Sequence, residues 1–156
     1  MNFDDIDIKI LDILQSKANI TNANLASEVG ISASGMIERV KRLENANVIR
    51  KYVALVDSEK VGKGTLALVS IYLAAHSKNA FEKFTREIIE ISEVLECYHT
   101  SGEEDFVLKV VVKNISDFEY FILNKLTKIS GVNKVKTNFI LSTVKFDTKI
   151  HIEKGS

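Results

Sequence analysis

The hydrophobic pattern of this chain changes at the polar segment 57–64, and that change limits the architectures that the chain can form. Before the segment, apolar residues recur with the spacing of amphipathic helices; after it, alternating or continuous apolar runs are interspersed with helical stretches. The segment contains glycine and is polar, which is typical of a domain boundary. A length of 156 residues is sufficient for two small domains. We predict a first domain over 1–60, with a linker strand to about residue 64, and a second over 65–156.

The composition restricts the class of protein further. A content of 46% hydrophobic and 27% charged residues is typical of a globular protein rather than a disordered one. The single cysteine excludes an internal disulfide framework and a zinc site with several cysteines. The acidic N-terminus lacks the features of a secretory signal, and no apolar run approaches the ~18 residues of a membrane span. We therefore expect a cytoplasmic protein that has no membrane partner.

Capping signals divide the first half into three short helices and an extended segment. An apolar stripe within residues 4–17 predicts the first helix. Residue 21 or 22 is suited to begin the second helix, and Gly30 is suited to end it. Ser32 caps the third helix, and a strand-like alternation follows over 48–56. Three short helices followed by an extended segment are typical of a winged helix-turn-helix module.

The second half has the pattern of strands that alternate with helices. The order of the predicted elements is βαββαβ, which is the ferredoxin-like arrangement. The predicted fold class is therefore α+β, with an N-terminal winged helix-turn-helix and a C-terminal ferredoxin-like domain. Residues 146–152 are an additional candidate strand, which we expect to pair with another subunit. The predicted strands are 66–75, 94–101, 105–113 and 135–141, and the predicted helices are 79–92 and a helix capped by Ser116 and ended by Gly131.

The overall charge balance conceals a local basic stretch. The chain has 21 Lys+Arg and 21 Asp+Glu, yet residues 38–51 have a net charge of about +3. An isolated basic run of this kind is usually a solvated helix face, but the helix, turn and cap that precede it favour DNA binding. The first turn of a recognition helix lies against base edges, and the basic residues beyond it are suited to phosphates. The candidate DNA-binding residues are Ser32, Ala33, Ser34, Gly35, Arg39, Lys41, Arg42, Arg50 and Lys51.

Motifs in both halves together resemble the leucine-responsive regulator/asparagine regulator (Lrp/AsnC) family. The resemblance covers nearly the whole chain, with the motifs in the family's order. It implies a winged helix joined to a ferredoxin-like, amino-acid-sensing domain. It also implies homodimers, commonly assembled into octamers, that bind double-stranded DNA and alter transcription in response to a small molecule. The matching stretches are 25–32, 38–44, 48–52, 96–108 and 131–132.

The resemblance also implies an effector site at the hairpin that contains Gly102. Glycine permits positive φ, and successive backbone N–H groups in such a turn can hold the carboxylate of an amino acid. Asp105 is placed to accept a hydrogen bond from the ammonium group, and the adjacent glutamates favour a cationic or polar effector. Without the resemblance, a plain hairpin turn is the default interpretation. The candidate effector-binding residues are Ser101, Gly102, Glu103, Glu104, Asp105, Thr137, Asn138 and Ile140.

Other classes of function have weaker support in the sequence. Cys97 and His99 point to one face of a strand, but a packed thiol and a hydrogen-bonded imidazole are the default, so we predict no metal. No phosphate-binding loop or nucleophile motif is present, and we predict neither a cofactor nor catalysis. An architectural DNA-binding protein without an effector is one alternative. A sirohaem decarboxylase-like enzyme is a weaker one, because Arg86 is the only arginine after residue 60 that could hold an acidic tetrapyrrole.

Overall fold

The computed structural model describes residues 2–153, which divide into two compact units. The first unit comprises residues up to 55 together with the segment from 145 onward, and the second comprises 56–144. The C-terminal segment therefore belongs to the unit that contains the N-terminus, whereas we had expected it in the second domain. No helix within residues 2–153 is long and apolar enough to span a membrane.

The first unit contains the three helices that the capping signals predict. They are α1 (Asp5–Ser16), α2 (Asn22–Val29) and α3 (Ala33–Asn45). The Thr21 side chain caps α2, and Gly30 ends it in the left-handed conformation with a φ of 86°, which favours glycine. The helices enclose a small apolar core made up of Ile10, Leu11, Leu14, Leu25, Ala26, Met36, Val40 and Leu43.

Two segments without helix complete the first unit, and neither contains a strand within the described residues. Residues 50–55 are exposed and in neither helix nor strand, and the strand predicted over 48–56 does not form. The C-terminal segment likewise forms no strand. Instead, the Gln15 side chain donates to the Ile150 carbonyl at 3.0 Å and accepts from its N–H at 2.7 Å. Lys149 pairs with Asp12 at 2.6 Å, so the segment is fixed along α1.

The second unit confirms the predicted βαββαβ order. All neighbouring strands are antiparallel, and the strand order β2-β3-β1-β4 is that of a ferredoxin-like sheet. In chain order the elements are β1 (Thr65–Leu73), α4 (Lys78–Ile88), β2 (Val94–His99), β3 (Phe106–Val112), α5 (Ile115–Asn124), a short 3-10 helix (Leu126–Lys128) and β4 (Val132–Phe139).

One face of this sheet is covered by helices and the other is open. Alternate β1 side chains such as Val69 and Ile71 are buried against Phe84 of α4 and Phe121 of α5. On the opposite face Leu68 is 39% exposed. One predicted cap is wrong: the Asn114 side chain, rather than Ser116, caps α5, because its carbonyl oxygen accepts the N–H three residues later at 2.9 Å.

Candidate DNA-binding surface and effector site

The first turn of α3 is exposed and is held in shape by its own cap. Ser32 Oγ accepts the Gly35 N–H at 3.2 Å and lies 3.3 Å from Ser34 Oγ. A Cβ at Gly35 would lie 3.1 Å from Ser32 Oγ, so the absence of a side chain lets the cap close. Ala33 and Ser34 are exposed and small, and backbone can therefore approach a flat surface closely at this turn.

The two arginines of α3 have partners at the N-terminal end of α1, on the helix and at its N-cap. Arg39 Nη1 donates to both carboxylate oxygens of Asp4, at 3.0 and 2.7 Å, and to Asp7 Oδ1 at 2.8 Å. Arg42 Nη2 donates to Asp7 Oδ2 at 2.5 Å. The Asp7 side chain is only 2% exposed, whereas those of Arg39 and Arg42 are 27% and 49% exposed. We refer to these four residues as the α1–α3 cluster.

The acidic half of the α1–α3 cluster also caps α1. Asp4 Oδ1 accepts the Asp7 N–H at 2.8 Å, and Asp7 Oδ2 accepts the Asp4 N–H at 3.3 Å, which forms a capping box. The hydrogen bond from the Asp7 backbone, with a further one from Arg39, holds the pKa of Asp4 below its ordinary value. Hydrogen bonds to Asp4 and Asp7 raise the pKa of Arg39. The sequence indicated the acids of α1 and the arginines of α3, but not that they meet.

The other predicted basic residues of this surface are exposed. Lys41, Arg50 and Lys51 form no ion pair with any residue in the described range 2–153. The segment that carries Arg50 and Lys51 is tied to the end of α3, because the Tyr52 hydroxyl donates to Glu44 Oε1 at 3.0 Å. Burial and this hydrogen bond raise the pKa of Tyr52 to about 12. The anchored tyrosine thus keeps both cations near α3.

The loop that joins β2 to β3 differs from the expected anion-binding turn. Gly102 does not have a positive φ, so the conformational reason that we gave for glycine at this position is wrong. A Cβ at Gly102 would lie 3.8 Å from the Glu104 carboxylate, which is an ordinary contact. The Thr100 hydroxyl donates to the Glu104 carbonyl at 2.5 Å and closes the loop. Ser101 and Glu103 are exposed beside it.

Asp105 is buried at the edge of the sheet, with partners for both of its carboxylate oxygens. Oδ2 accepts the Leu73 N–H at 2.7 Å, and Oδ1 lies 3.1 Å from His76 Nε2. The residue is 8% exposed. These contacts connect the end of β1 to the start of β3, so Asp105 has a structural role that the sequence did not indicate. Its expected contact with an effector's ammonium group stays a prediction.

The neighbourhood of Asp105 is aromatic. The His99 ring lies 4.9 Å from that of Phe81 and 5.1 Å from that of Phe106, centroid to centroid. Cys97 is half-buried against the core, and burial raises the pKa of its thiol. Within residues 2–153, no three His, Cys, Asp or Glu side chains are arranged to hold a metal ion.

The candidate residues of β4 lie away from the Gly102 loop within one chain. Phe106, which follows the loop, is opposite Ile71 on β1, whereas Asn138 is opposite Leu68. Further along, the Ile140 N–H donates to the Leu66 carbonyl. The separation from Ile71 to Leu66 along β1 is about 16 Å at the rise of a strand. Of the three candidate residues, Thr137, opposite Val69, lies nearest to the loop, about 7 Å from Ile71 along β1.

Comparisons with known proteins agree with both units. A family model described as the Lrp/AsnC ligand binding domain matches residues 66–150, and one described as winged helix-turn-helix DNA-binding matches residues 3–50. A leucine-responsive regulatory protein of Haemophilus influenzae is 37% identical over 91% of this chain and 86% of its own length. The transcriptional regulator AzlB of Bacillus subtilis is 32% identical over 97% of this chain and 96% of its own.

Two solved structures of transcriptional regulators align with nearly the whole chain. The crystal structure of the transcriptional regulator NMB0573 from Neisseria meningitidis, in complex with L-Met, aligns with a TM-score of 0.89 at 33% identity. The alignment covers 95% of this chain and 96% of that one. An AsnC family transcriptional regulator from Agrobacterium tumefaciens aligns with a TM-score of 0.88 at 35% identity, with the same shares of the two chains covered.

Proposed function

The chain belongs to the Lrp/AsnC family of DNA-binding transcription regulators, and on that premise we propose that an amino acid controls its DNA binding or its assembly. The relatives named above are regulators, and we propose that this chain likewise acts by binding rather than by catalysis. A regulator of this kind needs a surface that reads DNA, a site for the effector, and a physical connection between subunits.

The observation that carries DNA binding is the exposed, capped start of α3. A recognition helix places its first turn in the major groove, and small residues such as Ala33 and Ser34 permit a close approach. None of the side chains in this turn can make a bidentate contact with a base, so we expect DNA shape to contribute to specificity. Exposed cations beside the turn are suited to phosphates and would set the register on the duplex.

We propose that the open face of the sheet joins two chains into a homodimer. Leu66, Leu68 and Tyr72 alternate with the buried residues of β1, and Tyr98 on β2 adds a ring that is 56% exposed. An antiparallel sheet tolerates water on one face, but a row of large apolar side chains there favours a partner. A dimer of this kind would present two recognition helices about one turn of DNA apart, ~34 Å.

The effector site that we propose requires more than one chain. Asn138 and Ile140 lie about 10 and 16 Å along β1 from the residue opposite the end of the Gly102 loop, and we propose a pocket that combines the loop of one subunit with the strand of another. The similar Neisseria protein, whose structure contains L-Met, supports an amino acid as the class of ligand. A ligand held between subunits acts through its different affinities for different assembly states. Assembly into octamers is part of this proposal.

A thermal-shift panel of the twenty amino acids, with the oligomer size measured for each hit, tests the effector. We expect at least one amino acid to raise the melting temperature and to change the oligomer size or the DNA affinity. The D-enantiomer of each hit is the control. If no amino acid changes any of the three quantities, the chain is better described as an architectural DNA-binding protein.

The salt dependence of DNA binding tests the surface itself. With three or four phosphate contacts per subunit, a dimer should show a slope of log affinity against log salt of roughly −5 to −7. A slope near zero would contradict the basic surface beside α3.

A further inference from the structure

Arg39 lies on the recognition helix, yet its guanidinium is directed into the DNA-binding unit. One of its nitrogens contacts three carboxylate oxygens of Asp4 and Asp7, at the N-terminal end of α1, all within 3.0 Å, and its side chain is 27% exposed. We propose that Arg39 and Asp7 are positioning residues, which fix the recognition helix on α1, and that the phosphate contacts of this surface fall to Lys41, Arg50 and Lys51. The inference rests on the proposed DNA binding. It divides the basic residues of the DNA-binding surface into residues that position α3 and residues that contact phosphates.

The burial of Asp7 is the first reason for this division. A buried carboxylate needs charged or hydrogen-bonding partners, and removing one partner of a buried ion pair is strongly unfavourable. If Arg39 turned toward a phosphate, it would leave Asp7, whose side chain is 2% exposed, with Arg42 as its remaining ionic partner within residues 2–153. Lys41 gives up no such partner when it contacts DNA, since it is exposed and forms no ion pair there.

The second reason is the geometry of the capping box. Asp4 and Asp7 accept each other's backbone N–H groups, so their carboxylates are fixed relative to the axis of α1. The Nη1 group of Arg39 donates to both of these carboxylates, and charge-assisted hydrogen bonds are the stronger ones in proteins. The result is a connection from the N-terminal end of α1 to the middle of α3. The orientation of a recognition helix must be well defined, because a small displacement in the groove misplaces all of its contacts with DNA.

The third reason is the local charge. Two carboxylates offset the two arginines of the α1–α3 cluster, so the cluster adds no net positive charge to the DNA-binding surface. Arg42 is bound through a single hydrogen bond and is 49% exposed, which makes it intermediate between the two groups. Of the basic residues predicted for this surface, Lys41, Arg50 and Lys51 are the ones without an ionic partner in the described residues.

The test compares three glutamine variants of the full chain on a random-sequence DNA duplex over a series of salt concentrations. Lys41→Gln should flatten the salt slope by about 0.9 per subunit and leave the melting temperature unchanged. Arg39→Gln should lower the affinity by about tenfold at every salt concentration, leave the slope unchanged and lower the melting temperature. Lys17→Gln is the matched control, because it breaks the exposed Lys17–Glu28 ion pair of the same unit. It should change none of these quantities.

Three outcomes would overturn the inference. If Arg39→Gln flattens the slope as much as Lys41→Gln does, Arg39 is a phosphate contact. If Arg39→Gln lowers the melting temperature but leaves DNA affinity unchanged at a temperature where the variant is folded, its role is structural only. If Lys41→Gln leaves the slope unchanged, the phosphate contacts lie elsewhere. A wild-type protein that binds no DNA at any salt concentration overturns the proposed function itself, which separates the two failures.

Replacement of an acidic residue gives a test in which electrostatic attraction and the positioning role predict opposite changes in DNA affinity. Asp7→Asn removes a negative charge from the DNA-binding unit, so electrostatic attraction alone predicts tighter binding to DNA. The positioning role predicts weaker binding, because Arg39 and Arg42 lose their shared anchor. If Asp7→Asn does not fold, Asp4→Asn tests the same prediction, that DNA binding becomes weaker. The effect should be smaller there, because the Asp4 carboxylate is 52% exposed. Tighter binding by the folded variants would overturn the inference.

Discussion

The two units of this chain each bury one carboxylate among the described residues, and the two are held in different ways. In the DNA-binding unit, Asp7 is bound by Arg39 and Arg42, both of which are charged at any working pH. In the second unit, Asp105 is bound by a backbone N–H and by His76, which is charged only when protonated. The first carboxylate thus belongs to an ionic cluster, whereas the second serves as a hydrogen-bond acceptor that closes the end of a sheet.

The different partners of Asp7 and Asp105 correspond to the different packing of the two units. The three helices of the first unit enclose a core of eight buried residues, and the ion pairs of the α1–α3 cluster add contacts between two of these helices. The sheet of the second unit is already fixed by its ladders and a larger apolar core. There a single acceptor is sufficient to secure the last backbone N–H of β1.

The largest effect is expected for Asp7→Ala. Removing one partner of a buried ion pair typically costs about 3–5 kcal/mol, but the arginines left behind retain some contact with water. We therefore expect the free energy of unfolding of the DNA-binding unit to fall by about 2–3 kcal/mol. Hydrogen exchange measured on peptides of α1 and α3 reports this unit separately from the other. A loss below about 1 kcal/mol would mean that the cluster is no stronger than a surface ion pair.

A smaller effect is expected at Asp105, and it separates charge from hydrogen bonding. Asp105→Ala leaves the Leu73 N–H buried without an acceptor, which typically costs about 1–3 kcal/mol. Asp105→Asn keeps a carbonyl oxygen at the same place, so we expect a loss of about 1 kcal/mol or less. Exchange of the amides of β1 and β3 measures both. If the asparagine variant is as unstable as the alanine variant, the charge itself is needed and the two buried carboxylates are alike.

The sequence predicted the parts of this comparison that depend on local chemistry. Thr21, Gly30 and Ser32 define the ends of α2 and α3 by contacts within a few residues, which are readable from the chain alone. The order of strands and helices in the second unit likewise follows from periodicity. Ser116 failed as a cap for a local reason too, because Asn114 offers the same kind of acceptor two residues earlier.

The parts that the sequence did not predict depend on contacts between distant residues. Arg39 and Asp7 are 32 positions apart, as are Leu73 and Asp105. No periodicity or capping rule specifies such pairs, since they arise only once the helices and strands have packed. From the sequence, the charge of Arg39 and its place on α3 predict a phosphate contact. The residue type at position 102 likewise predicts a positive φ, which the structure does not have.

Acid should weaken a further ion pair of the second unit by a modest amount. The Tyr98 hydroxyl and Lys109 donate to the Glu96 carboxylate and hold its pKa below the ordinary value of 4.5. A carboxyl whose pKa is lower in the folded protein than in the unfolded one stabilises the fold at any pH above its unfolded-state pKa. That stabilisation is lost as the pH falls through the folded-state pKa. Because Glu96 is 39% exposed, we expect Glu96→Gln to cost less than about 1 kcal/mol at pH 7 and less still at pH 3. Thermal melts at both pH values check this, and a loss as large at pH 3 as at pH 7 would contradict it.

The smallest effect is expected for His76→Ala, and it tests the comparison most directly. His76 is 69% exposed, so its contact with Asp105 is close to water and contributes little. Asp105 keeps the Leu73 N–H in this variant, and we expect a change in unfolding free energy within about 0.5 kcal/mol. Arg39→Ala is the matched change in the other unit and should cost clearly more, because Asp7 has no backbone donor as close as the one that Asp105 keeps. Amide exchange in each unit measures the free energy of unfolding that each variant loses. If the two losses are equal, His76 stabilises Asp105 as much as Arg39 stabilises Asp7.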